Sequence, residues 1–338
     1  MKAVHLESPG NIYLVERDVP VRTEGMALIR IRAAGICGSD IGAYRGTNKL
    51  VTYPRIIGHE LAGEIVEIDS DNPRGLRPGD RVVADPYMFC KKCYPCSIGR
   101  TNCCEALEVL GVHIDGGMAE YFLHPADMLV PLPDSIPWEI APMAEPLTIA
   151  LHALHRGGLK AGMHMAINGA GAIGLLAALA VIAYGAEPIL VDPVEERLEY
   201  ARKLGVRHTI NPARQDLIAE ISRITCGRMA EVVMEASGAN SAIRNTLDMC
   251  SFAGKIVLTG WPKSETPLPT DMITKKELDV LGSRNSAGEF EEAIRLIAEG
   301  KVDVRAVLSK TVSIDEAPAH VEALSAHPER WLKINVVL

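Results

Sequence analysis

The glycine-rich stretch Gly169-Ala170-Gly171-Ala172-Ile173-Gly174 decides the fold. It follows a short apolar segment, Met165 to Asn168, and it opens a run rich in Ala and Leu that reaches Tyr184. A strand, a G-x-G-x-x-G turn and a helix in this order are typical of the first unit of a doubly wound parallel sheet. Beyond this stretch the chain continues to alternate strands with helices, which predicts βαβ units and an α/β fold.

The alternating part begins at about Pro146 and ends at about Gly282. Before it, short apolar segments are separated by long irregular loops, which predicts a β-rich, partly barrel-like body. The segment 34–40 is expected to be a loop. After Gly282 the strands of the wound sheet have run out, so we assign the tail, with a helix at 289–298 and a strand at 334–338, to the first body. The predicted domains are therefore 1–146 with 284–338, and 147–283.

The glycine stretch also predicts a dinucleotide site. Gly169 would form the tight turn, Gly171 would let a pyrophosphate approach the backbone, and Gly174 would let the helix pack closely on the strand. Asp192, at the end of the second strand, would bind the ribose hydroxyls and repel a 2′-phosphate. The first cation after it is Arg197, so the pattern favours NAD over NADP. The cofactor-binding candidates are Gly169, Gly171, Ala172, Ile173, Gly174, Asp192 and Arg197.

Four cysteines form a second motif, Cys90, Cys93, Cys96 and Cys104, spaced C-x2-C-x2-C-x7-C. Four thiolates in one loop suit a tetrahedral zinc ion, and a fully ligated ion leaves no position for chemistry, so this site is predicted to be structural. Free thiols or a disulfide pair are the alternative. Cys103 is adjacent to Cys104 and is a possible substitute for it, although the seven-residue spacer favours Cys104.

A third group of residues is spread over two short segments, Cys37-Gly38-Ser39-Asp40 and Gly58-His59-Glu60. Thiolate, imidazole and carboxylate are ligand types that zinc accepts, and three protein ligands with one open position make a catalytic site. The Gly-His-Glu triplet alone is weak, because a single His beside a Glu is usually a surface or core residue.

Length and composition limit the function. A chain of 338 residues exceeds the usual size of one core, which predicts two domains. The net charge of −8, without a basic run, argues against nucleic acid and anionic membranes as partners, and against a zinc-ribbon module. The first twenty residues lack the apolar core of a signal peptide, and the longest apolar run, 170–183, is too short to span a bilayer. We therefore expect a cytoplasmic protein whose cysteines do not serve disulfides.

Taken in order, these motifs resemble those of the zinc-dependent medium-chain dehydrogenases over essentially the whole chain. Asp115-Gly116-Gly117 and Glu145-Pro146 belong to the same pattern. Within that family the chain looks like the polyol, threonine and sugar-acid branch. The segments Arg100 to Glu105 and Gly111-Val112-His113 are similar to L-galactonate-type sugar-acid dehydrogenases, and galactitol-phosphate dehydrogenases are more distant relatives.

The resemblance implies a GroES-like β-rich catalytic domain and a Rossmann domain, with the site in the cleft between them. It implies that Cys37 and His59 bind the catalytic zinc and that Glu60 and Glu145 supply the remaining oxygens, directly or through water. Asp40 is expected to accept the second N–H of His59. Because Pro suits the first helical position, Pro146 is expected there, with Glu145 as the cap.

The resemblance also implies the reaction, which is hydride transfer from a secondary hydroxyl to NAD with Ser39 as the acceptor of the hydroxyl proton. Many relatives carry a His three residues after this Ser, and Gly42 stands there instead, so the proton route beyond Ser39 is predicted to use ribose hydroxyl and water. Side chains expected to face the substrate are Tyr44, His113, Arg284 and Asn285.

The predicted function is that of a zinc enzyme with one catalytic and one structural zinc per subunit and NAD as cofactor. It would oxidise a polyol or an L-galactonate-like sugar acid, and relatives suggest a homodimer or homotetramer. The alternatives are a threonine- or butanediol-type dehydrogenase, a galactitol-phosphate dehydrogenase, and a non-catalytic relative. The retention of Cys37, Ser39, His59, Glu60 and Glu145 argues against the last of these.

Overall fold

The computed structural model describes all 338 residues. Its strands are β1 (Lys2–Ser8), β2 (Asn11–Glu16), β3 (Met26–Ile36), β4 (Arg55–Ile56), β5 (Glu60–Glu67), β6 (Arg81–Ala84), β7 (Tyr87–Met88), β8 (Glu108–Val109), β9 (Tyr121–Pro125), β10 (Leu129–Pro131), β11 (His164–Asn168), β12 (Glu187–Val191), β13 (His208–Ile210), β14 (Ala230–Glu235), β15 (Cys250–Leu258), β16 (Asp279–Gly282), β17 (Lys310–Ser313) and β18 (Ile334–Val337).

The α-helices are α1 (Gly38–Tyr44), α2 (Tyr94–Ser97), α3 (Ala144–Gly157), α4 (Ala172–Ala183), α5 (Glu195–Lys203), α6 (Leu217–Ile224), α7 (Asn240–Met249), α8 (Thr270–Lys276), α9 (Phe290–Ala298) and α10 (Ala317–Ala326). Single 3-10 turns lie at Thr101–Cys103, Ala126–Met128, Ala141–Met143, Val304–Val307 and Ile314–Glu316. No helix combines the length and the apolar composition that a membrane span requires.

The chain folds into two units. The first comprises Met1–Pro146, Ala287–Gly300 and Val304–Leu338, and the second comprises Leu147–Ser286 with Lys301–Asp303.

The first unit is built on a seven-stranded sheet in the order β10-β6-β5-β3-β18-β17, with β9 also paired to β3. A three-stranded sheet, β2-β1-β4, and the pair β7-β8 complete it. The long strand β3 is central because its residues 27–29 and 33–36 are buried on both sides. The β-rich body predicted from the sequence is confirmed.

Three strands of the first unit meet at the end of β3. Gly35 of β3 pairs with Glu60, the first residue of β5, and on its other side with Asn335 of β18. Residues directly opposite each other in antiparallel strands carry their side chains on the same face. The register therefore brings the start of β5 and the C-terminal strand to the residues just before Cys37.

The second unit is a six-stranded parallel sheet in the order β13-β12-β11-β14-β15-β16. The near-continuous apolar strands β11, β12 and β14 are buried, as expected for a parallel sheet covered on both faces. Helix α4 is apolar over almost its whole surface and most of it is buried. The doubly wound α/β fold predicted from the glycine stretch is confirmed.

Some local predictions were wrong. The segment expected to be a loop at 34–40 contains the end of β3 and the start of α1, because Cys37 caps a helix that begins at Gly38. Helix α3 begins at Ala144 and continues a 3-10 turn, so Glu145 lies in its first turn and is not its cap. Helix α10 was not predicted, although its buried residues Ala317, Val321 and Leu324 follow helical spacing.

Candidate catalytic metal centre and dinucleotide site

The predicted ligands Cys37, His59 and Glu60 converge in the first unit. One ligand atom from each lies within 4.8 Å of the others, and His59 and Glu60 are buried. Cys37 is brought there by the end of β3, and Glu60 by the start of β5. The donor set combines a thiol, an imidazole and a carboxyl, which are the groups that zinc accepts.

The loop before His59 is held by close packing. Gly58 has φ of 96° and lies so close to Met118 that a Cβ would approach its backbone nitrogen to 3.0 Å. A Cβ on Gly116 would overlap the backbone of Ile57 and Gly58, and Asp115 accepts the N–H of Ile56 at 3.0 Å. The Asp115-Gly116-Gly117 motif thus positions the loop that carries His59.

Several buried polar atoms at this centre have no hydrogen-bond partner. They include the second carboxylate oxygen of Glu60, Nδ1 of His59 and Oγ of Ser39. Because unpartnered buried polar atoms cost about 1–3 kcal/mol each, such a group of them indicates a ligand. The residues present therefore fit a zinc ion.

Asp40 lies beside this centre and is buried. One oxygen accepts the backbone N–H of Cys37 at 2.8 Å, and the other is 4.0 Å from Nδ1 of His59. That separation is too long for the hydrogen bond expected from the sequence. The bond to Cys37 fixes the carboxylate at the cap of α1.

Glu145 is a second buried carboxyl near the centre, and the hydroxyl of Tyr87 donates a hydrogen bond to it. Burial, and next the charge of Glu60, raise the pKa of Glu145 to about 7. Burial, and next the carboxylate of Glu145, raise the pKa of Tyr87 well above its ordinary value. Tyr87 was not identified from the sequence, because nothing local distinguishes it from a core tyrosine.

Lys333 is the other residue that sequence analysis missed. It directly precedes β18, is 5% exposed, and pairs with the Glu60 carboxylate. Burial opposes its charge, but Glu60 and then Cys37 raise the pKa of its ammonium. The alternation of Lys333 and Asn335 with apolar Ile334 and Val336 was a signal, because it predicts a polar face on a buried strand.

The remaining candidates of the first unit lie in different surroundings. Ser39 is half-buried in the first turn of α1. Tyr44 ends that helix and is also half-buried. Nδ1 of His113 accepts the backbone N–H of Val109 at 3.0 Å, so a neutral His113 carries its proton on Nε2.

The four cysteines of the loop also converge. Sγ of Cys93 lies 3.4 Å from Sγ of Cys96 and 3.8 Å from Sγ of Cys104, and the set closes with Cys90. Backbone N–H groups of Lys92 and Cys93 lower the pKa of Cys90 to about 6. The arrangement fits a tetrahedral zinc ion, and Cys103 is not among the converging sulfurs.

The glycine stretch of the second unit forms the turn between β11 and α4. Gly169 has φ of 102°, and a Cβ on Gly174 would overlap the carbonyl of Gly169. Gly171 faces open space at the start of the helix. These are the three roles expected of the glycines in a dinucleotide-binding turn.

Asp192 is buried at the end of β12. One of its carboxylate oxygens accepts the N–H of Ala170 at 2.7 Å, and the other accepts the N–H of Val194 at 2.8 Å. A guanidinium nitrogen of Arg197 lies 3.9 Å from it. These bonds fix Asp192 beside the glycine turn. Arg197, the cation expected from the sequence, is turned toward its carboxylate.

Glu235 was not predicted to have a role. It is fully buried at the end of β14 and accepts the N–H groups of Ser237 at 2.8 Å and Gly238 at 3.1 Å. Gly169 packs against Ser237. The carboxylate therefore orders the turn that lies against the glycine stretch. The predicted substrate contacts Arg284 and Asn285 follow β16 in this unit, and Asn285 has φ of 50°.

Comparison with known proteins agrees with this architecture. Residues 23–134 match the family described as the alcohol dehydrogenase GroES-like domain, and residues 172–299 match the zinc-binding dehydrogenase family. An uncharacterized zinc-type alcohol dehydrogenase-like protein of Haemophilus influenzae is 58% identical over 100% of this chain and 98% of its own length.

Two further relatives are more distant. L-galactonate-5-dehydrogenase of Escherichia coli K12 is 35% identical over 91% of each chain. The crystal structure of the alcohol dehydrogenase RspB of Escherichia coli CFT073, complexed with the cofactor NADH, has a TM-score of 0.93 at 32% identity. That match covers 100% of this chain and 99% of the other. The chain therefore belongs to the zinc-type alcohol dehydrogenases of the medium-chain family.

Proposed function

We propose that this protein is a zinc- and NAD-dependent dehydrogenase that oxidises a secondary hydroxyl of a polyol or a sugar acid of the L-galactonate type. The observation that carries the proposal is the convergence of Cys37, His59 and Glu60 within 4.8 Å of one another. A thiolate and an imidazole with a carboxylate make a set that binds zinc and leaves room for a substrate oxygen.

Cys37 and His59 would hold the catalytic zinc, with Glu60 and Glu145 as the oxygen donors. When bound, zinc supplies Lewis acidity that lowers the pKa of a substrate hydroxyl. Asp40 fixes the backbone of Cys37, and the packing of Gly58 and Gly116 fixes His59. The Tyr87 hydroxyl holds the second carboxyl in place.

Ser39 would accept the proton of the substrate hydroxyl. Its Oγ is buried without a partner, which leaves both its donor and acceptor capacity available. Gly42 stands one turn farther along α1, where many relatives place a His, so the chain offers no imidazole at that step. We propose that Ser39 passes the proton on to water, and a bound dinucleotide would supply a ribose hydroxyl as a further acceptor.

The second unit would bind the dinucleotide at its glycine turn, with the start of α4 at the pyrophosphate. Ala172 and Ile173 supply the first amides of that helix. The carboxylate of Asp192 would accept hydrogen bonds from the ribose hydroxyls, and its charge disfavours a 2′-phosphate. A dinucleotide held there would supply the nicotinamide as hydride acceptor.

The substrate class rests on the similarity to L-galactonate-5-dehydrogenase and on the polar residues proposed to line the site. Tyr44, His113 and Asn285 would bind hydroxyl groups, and Arg284 would pair with a carboxylate or phosphate. The alternatives are a threonine- or butanediol-type enzyme and a galactitol-phosphate dehydrogenase. We propose a homodimer or homotetramer in the cytoplasm, which light scattering and cell fractionation would test.

The test is a panel of hexonates, hexitols, their phosphates, threonine and butanediol, read by the absorbance of reduced cofactor. The proposal expects the highest kcat/KM with a hexonate or hexitol. A response to threonine or butanediol alone would replace the proposed substrate class. In the same assay His59→Ala should abolish turnover while NAD binding, measured by calorimetry, is retained. Persistent turnover in that variant would contradict a zinc mechanism.

A further inference from the structure

The buried ammonium of Lys333 pairs with one member of the proposed zinc-binding set. A lysine that is 5% exposed is rare, since burying its charge is costly unless a partner compensates. Its partner is one oxygen of Glu60, itself fully buried, and the second oxygen of that carboxylate has no protein partner. Glu60, one of the proposed zinc ligands, is therefore bound through one carboxylate oxygen, while its other oxygen has no protein partner.

The sheet is built so that this pair can form. Glu60 and Asn335 are both opposite Gly35, on the two flanks of β3, and Lys333 lies two residues before Asn335 on the same face. Gly35 has no side chain, and a Cβ there would overlap the carboxylate of Glu60. Lys333 therefore reaches Glu60 across Gly35, where the absence of a side chain leaves room for the ion pair.

The negative charges of the proposed zinc ligands make this ion pair relevant to the metal. Cys37, Glu60 and Glu145 carry three negative charges when ionised, which exceeds the two positive charges of zinc. An excess of negative ligands weakens the Lewis acidity on which the reaction depends. Lys333 is the cation that the first unit places against this set, and it returns the formal balance to zero.

We propose that Lys333 is a positioning residue that holds one oxygen of Glu60 and so limits the negative charge Glu60 gives to the catalytic metal. The inference rests on the proposed function, because it needs the metal to sit at Cys37, His59 and Glu60. Removal of the ammonium releases Glu60 to bind the metal with its full charge. The metal is then held more tightly and is a weaker Lewis acid.

The test uses the full-length protein with cobalt(II) in the catalytic site, because cobalt reports its coordination in the visible spectrum. Lys333→Met should change the visible bands and slow the release of cobalt to a chelator by about tenfold, which is the lower end of the range over which residues behind metal ligands change metal affinity. It should also lower kcat while the KM for NAD stays the same. Lys333→Arg keeps the charge and should resemble the wild type.

The double variant Glu60→Gln/Lys333→Met removes both charges and should return the cobalt spectrum and release rate toward the wild type. Unchanged spectra and release rates in a folded Lys333→Met protein would overturn the proposal. A rise in the KM for NAD with no spectral change would overturn it too, since Lys333 would then serve the cofactor.

Two further measurements keep the test decisive. If Lys333→Met does not fold, Glu60→Gln alone leaves the ammonium unpaired beside the metal and should speed cobalt release, whereas an unchanged rate would contradict the proposal. Cys37→Ser separates this inference from the proposed function. If Cys37→Ser does not alter the cobalt spectrum of the otherwise unchanged protein, the metal is elsewhere, and the proposed function fails before the role of Lys333 is in question.

Discussion

The hydroxyl of Tyr87 donates a hydrogen bond to the carboxyl of Glu145, and both side chains are buried in the first unit. The pair joins strand β7, which precedes the cysteine loop, to the first turn of helix α3. It holds the carboxyl of Glu145, which we propose as the second oxygen donor to the metal, in a fixed position.

Tyr87→Phe removes this donor with little change of shape. We expect it to lower the free energy of unfolding by about 2 kcal/mol, because a hydrogen bond to a buried charged group is lost. Turnover should fall as well, since Glu145 is less well oriented. Urea unfolding and steady-state kinetics measure the two effects.

The matched control for that variant is Tyr13→Phe. Tyr13 also donates to a glutamate, Glu7, at 3.2 Å, but it is 41% exposed. Exposed bonds of this kind contribute little, so the control should differ from the wild type by under about 0.5 kcal/mol. If both variants lose the same free energy of unfolding, the buried Tyr87 bond contributes no more to stability than the exposed Tyr13 bond.

Cys93→Ser should remove the structural zinc and lower the melting temperature, because three thiolates bind zinc less tightly than four. Its effect on activity should be indirect and should follow the loss of folded protein. Metal analysis and calorimetry check this. Cys103→Ser is the control, since its sulfur is outside the converging group, and it should keep its zinc. Loss of zinc in Cys103→Ser and retention in Cys104→Ser would reverse the assignment.

Asp192→Asn tests the cofactor preference. The amide keeps one oxygen, which can accept the N–H of Ala170 in the glycine turn, and removes the charge that repels a 2′-phosphate. The bond from the N–H of Val194 to the second oxygen is lost. We expect the ratio of kcat/KM for NAD to that for NADP to fall by about tenfold, which corresponds to ~1.4 kcal/mol. A ratio that does not change would mean that Asp192 does not discriminate between the cofactors.

His124 makes a prediction about pH. Burial lowers its pKa from 6.5 to about 4, and Nε2 is 2.9 Å from the carbonyl of Asp85. The unfolded chain binds this proton at higher pH than the folded chain does, so stability is full above pH 6.5 and falls as the pH drops toward 4. Between pH 7 and pH 5 the loss from this residue is about 2 kcal/mol.

The variant His124→Gln keeps a hydrogen-bond donor and does not titrate. Urea unfolding of both proteins at pH 7 and pH 5, with the same zinc concentration, should show a smaller loss in the variant by that amount. Equal losses would mean that His124 titrates normally in the folded protein.

The predictable parts of this fold are those whose determining residues lie close together in the sequence. The glycine turn, the four-cysteine loop and the triplet around His59 each carry their chemistry within a few residues, and periodicity predicted the parallel sheet. Helix α1 was missed because its start depends on Asp40 binding the backbone of Cys37, which is a contact of the folded chain.

Tyr87 and Lys333 could not be assigned for a different reason. Each acts through a partner that the fold supplies, and for Lys333 the partner is 273 residues away in the sequence. The register of β18 on β3 decides that contact, and a shift of one residue would turn Lys333 to the other face. Long-range pairing of this kind has no local signal beyond the alternation of the strand.

We propose that a zinc ion held by Cys37, His59 and Glu60 carries the chemistry and that the cysteine loop holds a second zinc ion. The most direct measurement is the zinc content of purified wild type and Cys37→Ser, taken together with turnover. We expect two zinc ions per wild-type chain, one for each converging group. For Cys37→Ser we expect one ion, bound in the cysteine loop, and no turnover. A wild-type chain that turns over fully with a single zinc in the cysteine loop would contradict the catalytic role of Cys37, His59 and Glu60.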